Sequence, residues 1–167
     1  MKKNNFYCRI LCGFTSLLIL FSLTAHAETG QSKINEVLQL KDEPAGVVFE
    51  IDTGQKDGLE WALPMVKKHI SQLKARFPEL DIAIVTHGRE QFALQNQKKQ
   101  KNKKVHSLTQ QLVGEDVQLH VCGTHAEWRG VSEEDFPEYV DVAVTGPAQI
   151  NDYVAIGYIL VKVTSRT

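Results

Sequence analysis

Gly46-Val47-Val48-Phe49-Glu50-Ile51-Asp52 is a short β-branched and aromatic run bounded by glycine and aspartate, the pattern of a strand buried on both faces. Asp57-Gly58 follows, and then Leu59, Leu63, Val66, Ile70 and Leu73 recur at three- and four-residue spacing opposite Lys67, Lys68, Gln72 and Lys74. That spacing predicts an amphipathic helix. Pro64 is expected near its first turn, where a missing N–H costs least.

Outward from this unit the same alternation repeats. Leu80–Thr86 reads as a second strand, Arg89–Gln97 as a helical stretch and Asp116–Val121 as a third strand. Gly123–Arg129 reads as a short helix or turn, Tyr139–Thr145 as a fourth strand, Pro147–Tyr158 as a helix and Ile159–Val163 as a last strand. Strands alternating with helices at this spacing imply right-handed crossovers. The expected fold is a three-layer α/β/α domain with a mostly parallel sheet of about five strands.

Upstream, residues 1–27 carry Lys2, Lys3 and Arg9, an apolar run Ile10–Leu23 and a closing Ala25-His26-Ala27, the features of a cleavable export signal. The apolar run is interrupted by Gly13, Thr15 and Ser16, and it falls short of the roughly 20 apolar residues of a membrane-spanning helix. The expectation is a periplasmic or secreted protein with no stable membrane insertion after cleavage. Residues 28–45 are polar and weakly patterned, a leader or linker in which Ile34, Val37, Leu38 and Leu40 could form a short docking helix. The domain proper is expected over 46–167.

Loss of Lys2, Lys3 and Arg9 with the signal takes the formal charge from −1 to −4, which argues against a general nucleic-acid binder. Lys98, Lys99, Lys101, Lys103 and Lys104 crowd the stretch Gln95–Lys104, read as a solvated loop or helix end, or as a docking site for an acidic partner. No aromatic residue interleaves them, as a single-strand nucleic-acid platform would require. Cys8 and Cys12 leave with the signal, so Cys122 has no partner in its own mature chain. In an oxidising compartment such a thiol is buried and inert, paired with another chain, or used for its reactivity.

Ligands of a parallel α/β sheet bind beyond the carboxyl ends of its strands. Those ends are Asp52-Thr53-Gly54, Thr86-His87-Gly88, Cys122-Gly123-Thr124-His125 and Thr145-Gly146-Pro147. Cys122 ends a strand just before a helical turn, where backbone N–H groups favour thiolate over thiol. A small buried hydrophobe is the alternative. His120, Cys122 and His125 also admit a soft-metal site, copper(I) or zinc, with His87 as a further ligand, although the spacing is loose and His120 suits a hydrogen-bonded core position. The Asp52–Gly58 loop puts Gly54 and Lys56 where a calcium loop needs oxygen ligands. G-x-S-x-G, G-x-G-x-x-G, Walker, C-x-x-C and H-E-x-x-H motifs are all missing, so no cofactor is expected.

From about Gly46 to Val163 the chain resembles the DsrE/DsrF-like sulfur-relay family, small parallel α/β domains that usually form oligomers. The residues that carry the resemblance are Val47-Val48-Phe49 with the Trp61-Ala62-Leu63 helix, the strand ending His87-Gly88, and Val117–Arg129-Gly130-Val131. The acidic step Ser132-Glu133-Glu134-Asp135, then Val142–Gly146 and a helix ending Gly157-Tyr158 complete it. In the family's sulfur carriers a cysteine between the third strand and the next helix accepts a persulfide, and Cys122 falls on that position. The export signal and the Gln95–Lys104 stretch depart from the cytoplasmic relay members.

The sequence thus leads to a sulfur carrier rather than a turnover enzyme. Cys122 is its reactive group, with His125 and His87 nearby. A sulfur donor or acceptor protein, or a small sulfur compound, is its partner, and the resemblance implies a homo-oligomer. The competing readings are the soft-metal protein and an oligomeric binding module with a structural Cys122, in which Trp128, Phe136 and Tyr139 furnish contacts.

Overall fold

A computed structural model describes residues 30–164. The export signal read over 1–27, with Cys8 and Cys12, lies outside the described residues. The first element is a helix, α1 (Gly30–Leu38). Strand β1 (Gly46–Ile51) leads into α2 (Gly58–Arg76), and β2 (Ile82–Thr86) leads into two 3₁₀ turns at Arg89–Leu94 and Asn96–Lys98. Then come α3 (Lys103–Gly114), β3 (Val117–Cys122), the short α4 (Gly123–Glu127), a 3₁₀ turn at Glu133–Asp135, β4 (Asp141–Ala143), α5 (Gly146–Ala155) and β5 (Tyr158–Val163).

The five strands stand in the order β4-β3-β2-β1-β5, and every neighbouring pair is parallel. The fold is the expected three-layer α/β/α arrangement. Three successive crossovers step in one direction, from β1 to β4, so a single handedness puts α2, α3 and α4 on one face. The chain then reverses from β4 to β5 and lays α5 on the other. Val47, Phe49, Ile51, Ile82, Ile84, Leu119 and Val121 build the large core with α2 and α3. Val48, Ala83 and Val85 meet Ile150 and Tyr153 of α5 in a smaller one. Alternation along β1 therefore feeds two cores, which is why its sequence lacks an apolar–polar period.

Within residues 28–45 the chain forms α1, the short docking helix that the sequence allows, with Ile34 fully buried and Val37 almost so. Three sequence expectations are corrected. The helix read over Arg89–Gln97 is two 3₁₀ turns. The loop expected through Lys104 stops earlier, because Lys103 begins α3, a helix the sequence reading did not place. Its buried face includes His106 and Thr109 beside Val105 and Leu112, so polar residues dilute the apolar stripe. Pro64 lies inside α2 rather than in its first turn. It is exposed there, as is Glu60, whose carbonyl loses the proline's missing N–H.

Candidate functional site

Because every strand is parallel, the four loops singled out from the sequence gather at one end of the sheet. Cys122 closes β3 and is the N-cap of α4. Its sulfur accepts the backbone N–H of His125 at 3.4 Å. The residue is 5 % exposed. With only five residues, α4 supplies little macrodipole. The backbone N–H of Thr124 is engaged by the carbonyl of Val144. The His125 N–H is therefore the identifiable donor at the sulfur.

The imidazole of His125 turns away from this contact. Its Nδ1 donates to the carbonyl of His87 at 2.7 Å, which fixes the proton on Nδ1 because a carbonyl only accepts. The ring meets Phe92 edge-on at 5.1 Å between centroids and lies 6.3 Å from Trp128. His87 holds its own ring elsewhere: Nε2 donates to Glu50 Oε1 at 2.9 Å. The Glu50 carboxylate raises the His87 pKa against the opposing effect of burial, with Asp52 and Glu90 adding to the rise. Glu50 is held below its usual value by that same bond and by Lys162 at 3.3 Å, although burial opposes this. The three sequence-nominated residues thus form one chain of contacts. His87 is joined through its carbonyl to His125, and His125 through its backbone N–H to Cys122.

Two residues that sequence reasoning missed organise this end. Glu90 is completely buried and accepts from Thr86 Oγ1, Gly88 N–H, Thr53 N–H and Thr53 Oγ1 at 2.8–3.2 Å. It ties the β1 loop to the β2 loop. Gly88 is required between them, since a Cβ there would lie 2.5 Å from both Asp52 Oδ1 and Glu90 Oε2. Gln91, also fully buried, accepts the Cys122 N–H at 2.7 Å and donates to its carbonyl at 3.3 Å. Strand β2 ends at Thr86, paired with Val121. The next residue of β3 would face no strand partner there, and the Gln91 amide stands in for one. In sequence both residues sit in a polar stretch after a strand, and only the 3₁₀ winding turns them inward.

His120 belongs to another cluster. Its Nε2 contacts Tyr153 Oη at 2.7 Å, and that hydroxyl donates to Gln118 Oε1 at 2.6 Å. Burial lowers the His120 pKa and pushes that of Tyr153 up to about 12. Among the described residues no group of three His, Cys, Asp or Glu side chains converges as a metal site. Phe136 is core, Tyr139 packs against the core and contacts His106 Nδ1 through its hydroxyl at 2.6 Å, and Trp128 is 77 % exposed.

The fold and this end of the sheet define a class: a parallel α/β domain whose one described cysteine closes a strand at the carboxyl end of the sheet. The model of the DsrE/DsrF-like family matches residues 46–163, and the chain belongs to that family. Among curated proteins none matches it. Solved structures share the fold. One is MTH1491 from Methanobacterium thermoautotrophicum, a protein of unknown function, at 22 % identity and TM-score 0.57 over 73 % of this chain and 100 % of that one. BT1422 from Bacteroides thetaiotaomicron, also of unknown function, gives 14 % and 0.52 over 71 % and 95 %. The ychN protein from E. coli gives 14 % and 0.50 over 71 % and 98 %.

Proposed function

We propose that the protein is an exported sulfur carrier in which Cys122 holds sulfane sulfur as a persulfide or mixed disulfide. The observation that carries this is the backbone N–H of His125 on the Cys122 sulfur at 3.4 Å, at the strand end where family carriers place their cysteine. In loading, the Cys122 thiolate attacks the terminal sulfur of a persulfide or polysulfide donor. The new S–S bond forms as the donor's S–S bond breaks, and the donor leaves as thiolate. No external oxidant or reductant enters, and unloading is the reverse attack by an acceptor thiolate. The residue 1–27 signal supports a periplasmic or secreted site of action, and family membership supports a homo-oligomer.

Whole-protein mass spectrometry after exposure to polysulfide tests the carrier. A mass gain of one or more sulfur atoms, lost in Cys122→Ser, is expected; an unmodified wild-type chain overturns it. The low exposure of Cys122 favours one competing reading, a binding or assembly module with a structural thiol. Iodoacetamide separates the two, because a structural thiol labels only as fast as the protein unfolds.

A further inference from the structure

Beside the Cys122 end of the sheet lies a groove of about 660 Å³. Lys56, Arg89, Lys98, Lys101 and Arg129 line it, with Phe92 on its wall. These cations come from separate segments: the β1–α2 loop, both 3₁₀ turns, the approach to α3 and the turn after α4. They converge on one hollow rather than spreading over a flat face. Asp57 and Glu60 also line the groove, yet none of the five cations has a carboxylate within ion-pair distance among the described residues. The Lys98 ammonium and the Arg129 guanidinium each stand 5.9 Å from the centre of the Phe92 ring.

Such an arrangement works against folding, because five cations share the hollow with two carboxylates that pair with none of them. Its effect is visible at Lys98: partial burial first, then Lys101 and Lys56, lower its pKa. The chain as a whole is negative, so the groove is a local reversal of the prevailing field. The volume falls in the range of small-molecule sites. Phe92 connects it to the thiol, since its ring meets His125, whose backbone N–H holds the Cys122 sulfur.

We propose that this groove binds a small molecule bearing two or more negative charges. That the molecule is the anionic sulfur compound presented to Cys122 rests on the carrier reading; the binding itself does not. Two charges answer the excess of cations over carboxylates, and the volume of the hollow suits a small ligand.

Calorimetric titration of the full mature chain carrying Cys122→Ser tests binding with sulfur transfer removed. Thiosulfate and inorganic pyrophosphate are the probes. Each is expected to saturate one site and to weaken as salt rises from about 0.05 M to about 0.3 M, since partly exposed charges are screened. Lys98→Gln with Arg129→Gln is expected to weaken binding at least about tenfold. Lys41→Gln with Lys68→Gln, which removes the same charge away from the groove, is expected to leave it within about twofold. Absence of saturable binding, or equal weakening by the two double variants, overturns the site. Failure of wild type to gain sulfur while Cys122→Ser still binds both anions removes the carrier and leaves the groove.

Discussion

The side-chain amide of Gln91 pairs with both backbone polar groups of Cys122, accepting its N–H at 2.7 Å and donating to its carbonyl at 3.3 Å. A glutamine thereby continues β2 beyond its last residue and fixes the backbone from which the sulfur projects. Gln91→Leu keeps the approximate size and leaves the buried N–H of Cys122 without a partner, while its carbonyl keeps the first bond of α4. An unsatisfied buried group costs about 1–3 kcal/mol, so a loss of about 1–3 kcal/mol is expected in urea unfolding. A loss below about 0.5 kcal/mol, the scale of an ordinary surface change, overturns the assignment.

Gln91 also shows where sequence reading stops. The parallel sheet was legible because Val47-Val48-Phe49 and Ile82–Thr86 are apolar without period, while Val117–Val121 alternates apolar with polar residues over a strand's length. Cys122 and His87 were legible because strand ends are where such a sheet binds ligands. Glu90 and Gln91 carried no signal. Their burial depends on a 3₁₀ phase that turns polar side chains inward, and their partners are backbone and hydroxyl groups more than 30 residues away or a turn back along the chain. Likewise α3 hid behind five lysines and a buried face that mixes histidine and threonine with valine and leucine.

The His87–Glu50 pair predicts a pH dependence of stability. The folded pKa of His87 lies above the ordinary 6.5, so its contribution is complete below pH 6.5 and is lost as pH rises through the raised value. Glu50 is held below its ordinary 4.5, so its contribution is complete above pH 4.5 and is lost as pH falls through the lowered value. The stability advantage of wild type over His87→Gln is therefore expected to be flat from about pH 5 to about pH 6.5 and to decline at higher pH. The buried His69, His106 and His120, whose pKa values are lowered, titrate in both proteins and cancel in the difference. Thermal melts across that range check it, and an advantage that stays constant to about pH 9 rules out the charged pair.

Helix α1 lies outside residues 46–163, where the family model matches, yet it is part of the core. Ile34 is fully buried among residues of the main cluster, and α1 packs on both α2 and β5. Ile34→Ala is expected to cost about 2–5 kcal/mol, the range for removing a buried aliphatic side chain. Lys33→Ala, on the same helix with an ion pair at the surface to Glu36, is expected to cost less than about 0.5 kcal/mol. Equal effects of the two in denaturant unfolding would show that α1 does not dock.

Reaction of Cys122 with a neutral alkylating agent joins the fold to the proposed activity. At 5 % exposure Cys122 is scarcely open to solvent, so labelling requires a local opening. The element over it is suited to that, since α4 has five residues and its Thr124 is fastened to Val144 by two hydrogen bonds at the short edge strand β4. Opening α4 withdraws from the large core only Ala126 of its five residues. Native labelling by iodoacetamide is therefore expected at least about tenfold faster than global unfolding under the same conditions. Gly123→Ala should accelerate it further, because its Cβ would stand 2.9 Å from the Ala143 carbonyl and push α4 away from β4. His125→Ala retains the backbone N–H on the sulfur, so its effect on the rate is expected to stay within about tenfold even though the Nδ1 bond to His87 is lost. Stopped-flow unfolding and time-resolved mass spectrometry supply the two rates. Equal rates in wild type, unmoved by Gly123→Ala, would make the thiol a core residue and end the carrier proposal.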